Sequence, residues 1–298
     1  MPTLLQINTS LNYGSTGRIA EGIGEIANND GWNVYIAHGN RYKNPSSQHP
    51  IAIGTLWDEW AHYGSSLLFD RHGLGSYRAT KRFIDRINAE ISPDIIHLHN
   101  IHGYYLNYKL FFEYLAKTNI PIVWTLHDCW SMTGHCVHFD LIGCDKWKTG
   151  CRNCPQTNTY PRSLFFDNSV GNYQLKKRLF KSIANRLTLV PVSDWLAGLV
   201  KESVLNESRI QTIHNGIDIG TFTPCDPKEI IERNHLKHKN IILGVASPWS
   251  ERKGLSDFIR LRTMLPLSDF TIVLVGLNKE QIRNLPVGII GIAKTQNV

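Results

Sequence analysis

The 298-residue chain predicts an α/β protein built on parallel sheets, with one complete Rossmann-like domain and the beginning of a second. Three observations predict it. Short apolar runs of strand length alternate with segments whose apolar residues recur at helical spacing. Such alternation requires crossover connections, and crossovers imply a parallel sheet with helices on its faces. The stretch GIDIGTFTPCDP (216–227), with two glycines and two prolines, interrupts the alternation, which then resumes.

The elements follow in order. TLLQIN (3–8) reads as the first strand, and 16–30 as a helix with Ile19, Ile23, Ile26 and Ala27 on one face. WNVYIAH (32–38) is a second strand, and two helical segments follow near 55–70 and 76–91. DIIHLH (94–99) and PIVWTLH (121–127) are buried strands separated by a helix over 106–118. A cysteine-rich loop fills 129–162. A basic helix (169–186), a strand (187–193), a helix (194–205) and a strand (209–215) complete the first domain. The second alternation supplies strands at 240–247, 270–277 and 287–293, with helices at 254–265 and 278–285. The domains are therefore read as 1–220, a linker at 221–239, and 240–298.

Composition narrows the function classes. The N-terminus has no basic start followed by an apolar stretch, and no run approaches eighteen apolar residues. A cytoplasmic location is the expectation, where disulfides are rare. The formal charge of +7 favours anionic partners. Two helices concentrate it: Arg78, Lys81, Arg82 and Arg86 on one, Lys176, Lys177, Arg178, Lys181 and Arg186 on the other. They read as solvated faces or as contacts to a membrane surface.

Five stretches could carry chemistry. In NYGSTGRIAEG, Gly14 and Gly17 flank a turn that opens a helix, with Arg18 beside it. Free N–H groups at a helix start favour an anion, although a plain tight turn accounts for the glycines equally. In DIIHLHNIHGYY, His97, His99, Asn100 and His102 lie at the C-terminal end of a strand, the edge where open α/β sheets bind ligands. Buried, hydrogen-bonded histidines are the alternative. In WTLHDCW, His127 and Asp128 end another strand, as a substrate contact or a structural His–Asp pair. In ASPWSERKG, Arg252 and Lys253 stand at a helix entrance, as a diphosphate clamp or a surface charge pair. Finally, Cys136, Cys144, Cys151 and Cys154 fall within nineteen residues and end in C-x-x-C. Four sulfurs suit tetrahedral zinc in a closed structural site that would pin the long loop; disulfides or free thiols are the alternatives. Cys129 and Cys225 read as ordinary thiols.

Together, YGSTGRIA, DIIHLHNIHGYY, WTLHDCWSMTGHC, PVSDWL, HNGIDIGTF and ERKG, spread in order over residues 1–276, resemble the glycosyltransferase family 4 enzymes. The likeness is particularly to bacterial transferases of capsular and exopolysaccharide assembly. The resemblance implies a GT-B-like fold: two Rossmann-like domains facing across a cleft, acceptor on the first and nucleotide-sugar on the second. It implies a retaining transfer that needs no catalytic metal. Carried over, Arg252 and Lys253 match the pair on the donor diphosphate, and His127 the histidine at the transferring sugar. Gly14, Gly17 and Arg18 match the phosphate loop, and Asn215, Gly216 and Asp218 the turn at the domain junction. His99, Asn100 and His102 become acceptor contacts. The acceptor would be a glycan or a lipid-linked sugar, met with peripheral membrane contact and no nucleic acid.

One departure stands out. The family carries an E-x7-E pair late in the donor domain, whereas the last glutamate here is Glu280 and position 288 is glycine. The expectation is a C-terminally truncated donor domain, little activity alone, and association through an exposed sheet edge. The rivals are a non-catalytic nucleotide-binding remnant, an NAD-dependent oxidoreductase and a zinc-containing nucleic-acid-binding protein. The second lacks G-x-G-x-x-G after its first strand.

Overall fold

Apolar runs at 3–8, 32–38, 94–99, 121–127 and 187–193 become neighbours in one parallel sheet. The computed structural model describes residues 1–234, 236 and 240–294. Residues 235 and 237–239 of the expected linker and 295–298 of the expected second domain lie outside the described residues. The chain divides into two units, Met1–Gly216 and Ile217–Val298.

The first unit runs β1 (Thr3–Asn8), α1 (Gly14–Asn29), β2 (Asn33–His38), β3 (His49–Ala52), α2 (Leu56–Phe69), α3 (Tyr77–Arg86) and β4 (Ile95–Leu98). It continues α4 (Tyr108–Leu115), β5 (Ile122–Leu126), α5 (Lys146–Thr149), α6 (Ser169–Lys181), β6 (Leu187–Pro191), α7 (Asp194–Lys201) and β7 (Arg209–Ile210). Strand order is β3-β2-β1-β4-β5-β6-β7, and every pairing is parallel. The order reverses between β1 and β4, which opens a crevice at their C-terminal ends.

Local chemistry explains the elements. In α4, Tyr108, Phe111, Phe112 and Leu115 recur at helical spacing and are buried, and the Asn107 side chain accepts from the Leu110 N–H at the N-cap. Phe112, Trp124 and Phe180 pack ring on ring in the core, with centroids 4.8–5.7 Å apart. The sequence reading missed β3. Its HPIA segment is four residues long and contains Pro50, which the lattice of strand hydrogen bonds tolerates only at an edge, where β3 lies. The helix read over 76–91 ends at Arg86 and gives way to a π turn over Ile87–Ile91. The long cysteine loop is partly ordered by α5 and by 3-10 turns at Trp130–Met132 and Asp140–Ile142.

The second unit contains α8 (Lys228–Arg233), β8 (Asn240–Val245), α9 (Leu255–Met264), β9 (Phe270–Leu277), α10 (Lys279–Arg283) and β10 (Ile289–Ala293). Its sheet has the order β10-β9-β8, also parallel, around a small core of Trp249, Ile272, Leu274, Leu277 and Ile289.

Candidate functional site

The crevice between β1 and β4 is framed by asparagines. The Asn100 N–H donates to Asn8 Oδ1 at 3.3 Å, and Tyr105 donates its hydroxyl to the Asn100 carbonyl at 2.8 Å. His99, Asn100, His102, His127, Asp128 and Ser131 line one pocket at this edge. The structure thus gathers the expected acceptor residues with His127.

A relay of side chains orients His127. Gln6 Nε2 donates to the Ala20 carbonyl at 2.7 Å, so Gln6 Oε1 is the acceptor for His99 Nε2 at 3.0 Å. Burial and the neighbouring histidines hold His99 well below its usual pKa, so it is neutral. Its Nδ1 lone pair then accepts from His127 Nε2 at 3.3 Å. This leaves His127 with a lone pair on Nδ1. Burial lowers His127 to about 4, against the opposing pull of Asp128, so it too is neutral at pH 7. His97 packs against His99 with ring centroids 4.3 Å apart and bonds Thr125 Oγ1 at 2.8 Å, a core role.

Asp128 does not pair with its sequence neighbour His127. It accepts from His102 Nε2 at 2.7 Å through Oδ2, and from the Trp130 N–H at 2.9 Å through Oδ1. Burial pushes its carboxyl up, but His102 and the Trp130 N–H more than offset this, and the carboxyl lies below its usual value. On the far side of His102, Nδ1 meets the Tyr160 hydroxyl at 3.2 Å, which also lies 3.3 Å from His72 Nε2. The Gly103 N–H donates to that same His72 nitrogen at 3.2 Å. Sequence reasoning missed His72 and Tyr160, which lie 88 residues apart.

The turn before α1 is built for close approach. Gly14 has φ +65, and a Cβ on Gly17 would meet Ser10 Oγ at 2.9 Å and the Asn12 backbone at 3.2 Å. No side chain caps α1, its first turn has no acidic residue, and Arg18 is exposed beside it. Its leading N–H groups are thus available to an anion.

The four expected zinc ligands line a different pocket, with Phe139 and Trp147. All are free thiols. Among the described residues no group of three or more His, Cys, Asp or Glu side chains is placed to hold a metal ion, and Cys136, Cys144, Cys151 and Cys154, the expected zinc ligands, share only this pocket. Hydrogen bonds arrange the sulfurs instead. A bond from Cys136 pulls the Cys154 thiol down, and Cys151 accepts from the Gly134 N–H at 3.2 Å. Cys129 is buried and Cys225 exposed.

Lys176, read from sequence as part of a solvated face, is buried. Its Nζ donates to the Trp130 and Thr133 carbonyls at 2.6 and 2.9 Å and lies 3.4 Å from the Trp130 ring centroid. Burial lowers it to about 7. The signal was its helical spacing from Tyr173, Leu179 and Phe180, which share the buried face.

In the second unit, Arg252 and Lys253 are exposed in a 3-10 turn, Glu251–Lys253, just after β8 and before α9. Asn215 and Gly216 end the first unit and are exposed. Asp218 is held by its own turn, accepting from the Gly220 N–H at 2.8 Å and the Thr221 hydroxyl at 2.6 Å.

Comparisons with known proteins bear on this arrangement. The family model described as Glycosyltransferase Family 4 matches residues 27–221. WcaC of Escherichia coli (strain K12), which carries the name of a colanic acid biosynthesis glycosyl transferase, is 34% identical over 160 residues. That alignment spans 52% of this chain and 38% of WcaC, so the chain matches well under half of that relative's length. A sucrose-phosphate synthase from Thermosynechococcus elongatus shares the fold with a TM-score of 0.63 at 13% identity, over 99% of this chain and 71% of the other. HepE of Anabaena, solved in complex with UDP, superposes with a TM-score of 0.56 at 12% identity, over 99% and 70% of the chains. Among the described residues, no helix is long and apolar enough to cross a membrane.

Proposed function

Since the chain belongs to glycosyltransferase family 4, we propose that it takes part in moving a sugar from a nucleotide-sugar to a glycan or lipid-linked acceptor in surface polysaccharide assembly, with retention of anomeric configuration. The observation that carries this reading is the pocket at the C-terminal ends of β4 and β5, where a neutral, oriented His127 meets His99, Asn100 and His102. His127 would accept a hydroxyl proton of the transferring sugar through Nδ1. The N–H groups leading α1, with Gly14, Gly17 and Arg18, would face a phosphate or the acceptor. Arg252 and Lys253 would take the diphosphate, whose charge grows as the glycosidic bond breaks. Asn215, Gly216 and Asp218, near the end of the acceptor-side region 1–220, would serve donor and phosphate binding, with the donor-side region read as 240–298. Peripheral contact with a membrane at its cytoplasmic face would suit a lipid-linked acceptor.

The test is calorimetric titration of the chain with UDP, GDP and NAD. Binding of UDP or GDP that weakens in an Arg252→Ala, Lys253→Ala variant supports the reading. Binding of NAD alone, or retention on nucleic acid in a salt-dependent manner, sinks it. With a donor bound, His127→Ala should lower sugar transfer about a hundredfold or more while leaving nucleotide affinity nearly unchanged. Zinc at the four cysteines belongs to the same proposal, since the thiols line one pocket. Elemental analysis of the purified chain decides it, with one zinc per chain expected.

A further inference from the structure

Helix α2 is turned inside out. Its buried face is polar, with Glu59, His62 and Ser66. The Asn40 N–H donates to the Glu59 carboxylate. His62 accepts from the Gly75 N–H through Nε2 and donates to Ser76 Oγ through Nδ1, both at 3.0 Å. The outward positions, at helical spacing, carry Trp57, Trp60, Ala61 and Leu68, and none is charged. Trp57 is 84% exposed. A water-facing helix normally shows the opposite arrangement.

A second segment widens the surface. The Leu164 N–H donates to the Leu67 carbonyl at 2.8 Å, which lays residues 164–166 beside the end of α2. The Phe166 ring lies tilted against Phe69, with centroids 5.8 Å apart, and Phe165 is 73% exposed. Exposed aromatic side chains gathered along one helix and the segment beside its end mark an interaction surface.

Cations border the patch. The Arg41 guanidinium lies 4.9 Å from the Trp60 ring centroid. Arg82 and Arg86 line a groove with Gly54 and Thr55 at the head of α2. Arg86 is paired with Glu90 at 2.7 Å, whereas Arg82 has no ion-pair partner among the described residues. The nearby acids are already engaged: Asp58 caps α2 through Thr55, and Asp85 pairs with Lys81 at 3.0 Å.

We propose that this face docks on a bilayer surface containing anionic phospholipid. Trp57, Trp60 and Phe165 enter the boundary between headgroups and acyl chains, and Arg41 and Arg82 meet the phosphates. Tryptophan suits such a boundary because its ring is apolar and its N–H needs a wet partner. A second copy of the same face is disfavoured, since it would set Arg41 and Arg82 against themselves on a chain of formal charge +7. The ring contacts Tyr63–Tyr104 (5.1 Å) and Tyr104–Tyr160 (6.3 Å) lead from α2 to the Tyr160 hydroxyl beside His102. The surface would therefore present a lipid-linked acceptor to that pocket, and in this purpose the proposal rests on the transferase reading.

The experiment is flotation of the chain with phosphatidylcholine vesicles, with and without phosphatidylglycerol, and needs no sugar or nucleotide. The chain should float with the anionic vesicles, and added salt should weaken it. Trp57→Ser with Phe165→Ser should reduce vesicle affinity by at least about tenfold. Arg82→Glu should reduce it on anionic vesicles only. All three side chains are exposed, so unchanged thermal melting is the control for folding. Absence of flotation by the parent chain, or equal flotation by the variants, overturns the proposal. So does a dimer by light scattering that Trp57→Ser dissociates without any flotation. UDP titration on the same samples separates the two ideas: flotation without nucleotide binding removes the transferase reading and leaves the surface standing.

Discussion

His102 Nε2 lies 2.7 Å from Asp128 Oδ2, which joins the loop after β4 to the residue that follows β5 and its neighbour. The contact crosses two adjacent strands and holds both rims of the pocket in register. The Trp130 N–H takes the other carboxylate oxygen, so Asp128 also anchors the start of the cysteine loop.

Replacing Asp128 by Ala leaves the largely buried His102 N–H without its acceptor. The loss should be about 1–3 kcal/mol by urea titration at pH 7. The sign with pH follows from the lowered carboxyl. A group whose folded pKa lies below its unfolded value of about 4 stabilises above that pH, and the contribution disappears as pH falls through the folded value. The gap between parent and Asp128→Ala should therefore close below about pH 4.

Acid should weaken the first unit well before that point. Burial lowers His62, His97 and His127 each to about 4, and His72 and His99 well below the usual value. The unfolded chain binds protons on these rings as pH falls below about 6.5, while the folded chain resists doing so. Stability is therefore full above about 6.5 and falls progressively toward 4. Urea midpoints followed by circular dichroism from pH 8 to 4 should drop steadily over that window. A flat profile would mean that these rings are already accessible to protons.

Gly17→Val should destabilise the turn before α1 by about 1–3 kcal/mol, because the added carbons collide with the Ser10 hydroxyl and the Asn12 backbone. Gly22→Ala on the same helix meets nothing within 4 Å and serves as the control. If the turn holds an anion, UDP affinity should fall with Gly17→Val and not with Gly22→Ala.

In chelator-treated protein, alkylation by iodoacetamide at pH 7 should reach Cys154 and the exposed Cys225 before Cys129 and Cys136. The Cys136 hydrogen bond draws the Cys154 thiol down to about 6, whereas burial pushes Cys129 up to about 12. Peptide mass spectrometry reads the order. In untreated protein, protection of all four clustered thiols, lifted by a chelator, would report a bound metal.

Much of this was written locally. Strand and helix periods depend on residues a few positions apart, so the parallel α/β class and the positions of His99, Asn100 and His127 at strand ends could be read from the chain. A strand as short as HPIA has too few residues to show a period, and β3 was lost for that reason. The motif carrying Arg252 and Lys253 was legible too, and both residues do follow β8 at its C-terminal end.

Partner choice was not local. Gln6 and His99 are 93 residues apart, and Asp128 selects His102 over the histidine beside it. Lys176 became a buried donor only because Trp130 and Thr133 fold over its helix. The cysteines share a pocket, but the sulfurs are spaced by hydrogen bonds and packing rather than by their intervals in the chain. The polar side of α2 was buried because the loops after β2 and before α3 bring the Asn40 and Gly75 N–H groups and the Ser76 hydroxyl to meet it, and this turned its tryptophans outward. Sequence alone thus determined which residues lie on each element, since that follows from backbone geometry over one or two turns. Which side chains satisfy one another, and which are left to face something else, was decided by packing between segments dozens of residues apart, where burial makes each unpaired polar group expensive.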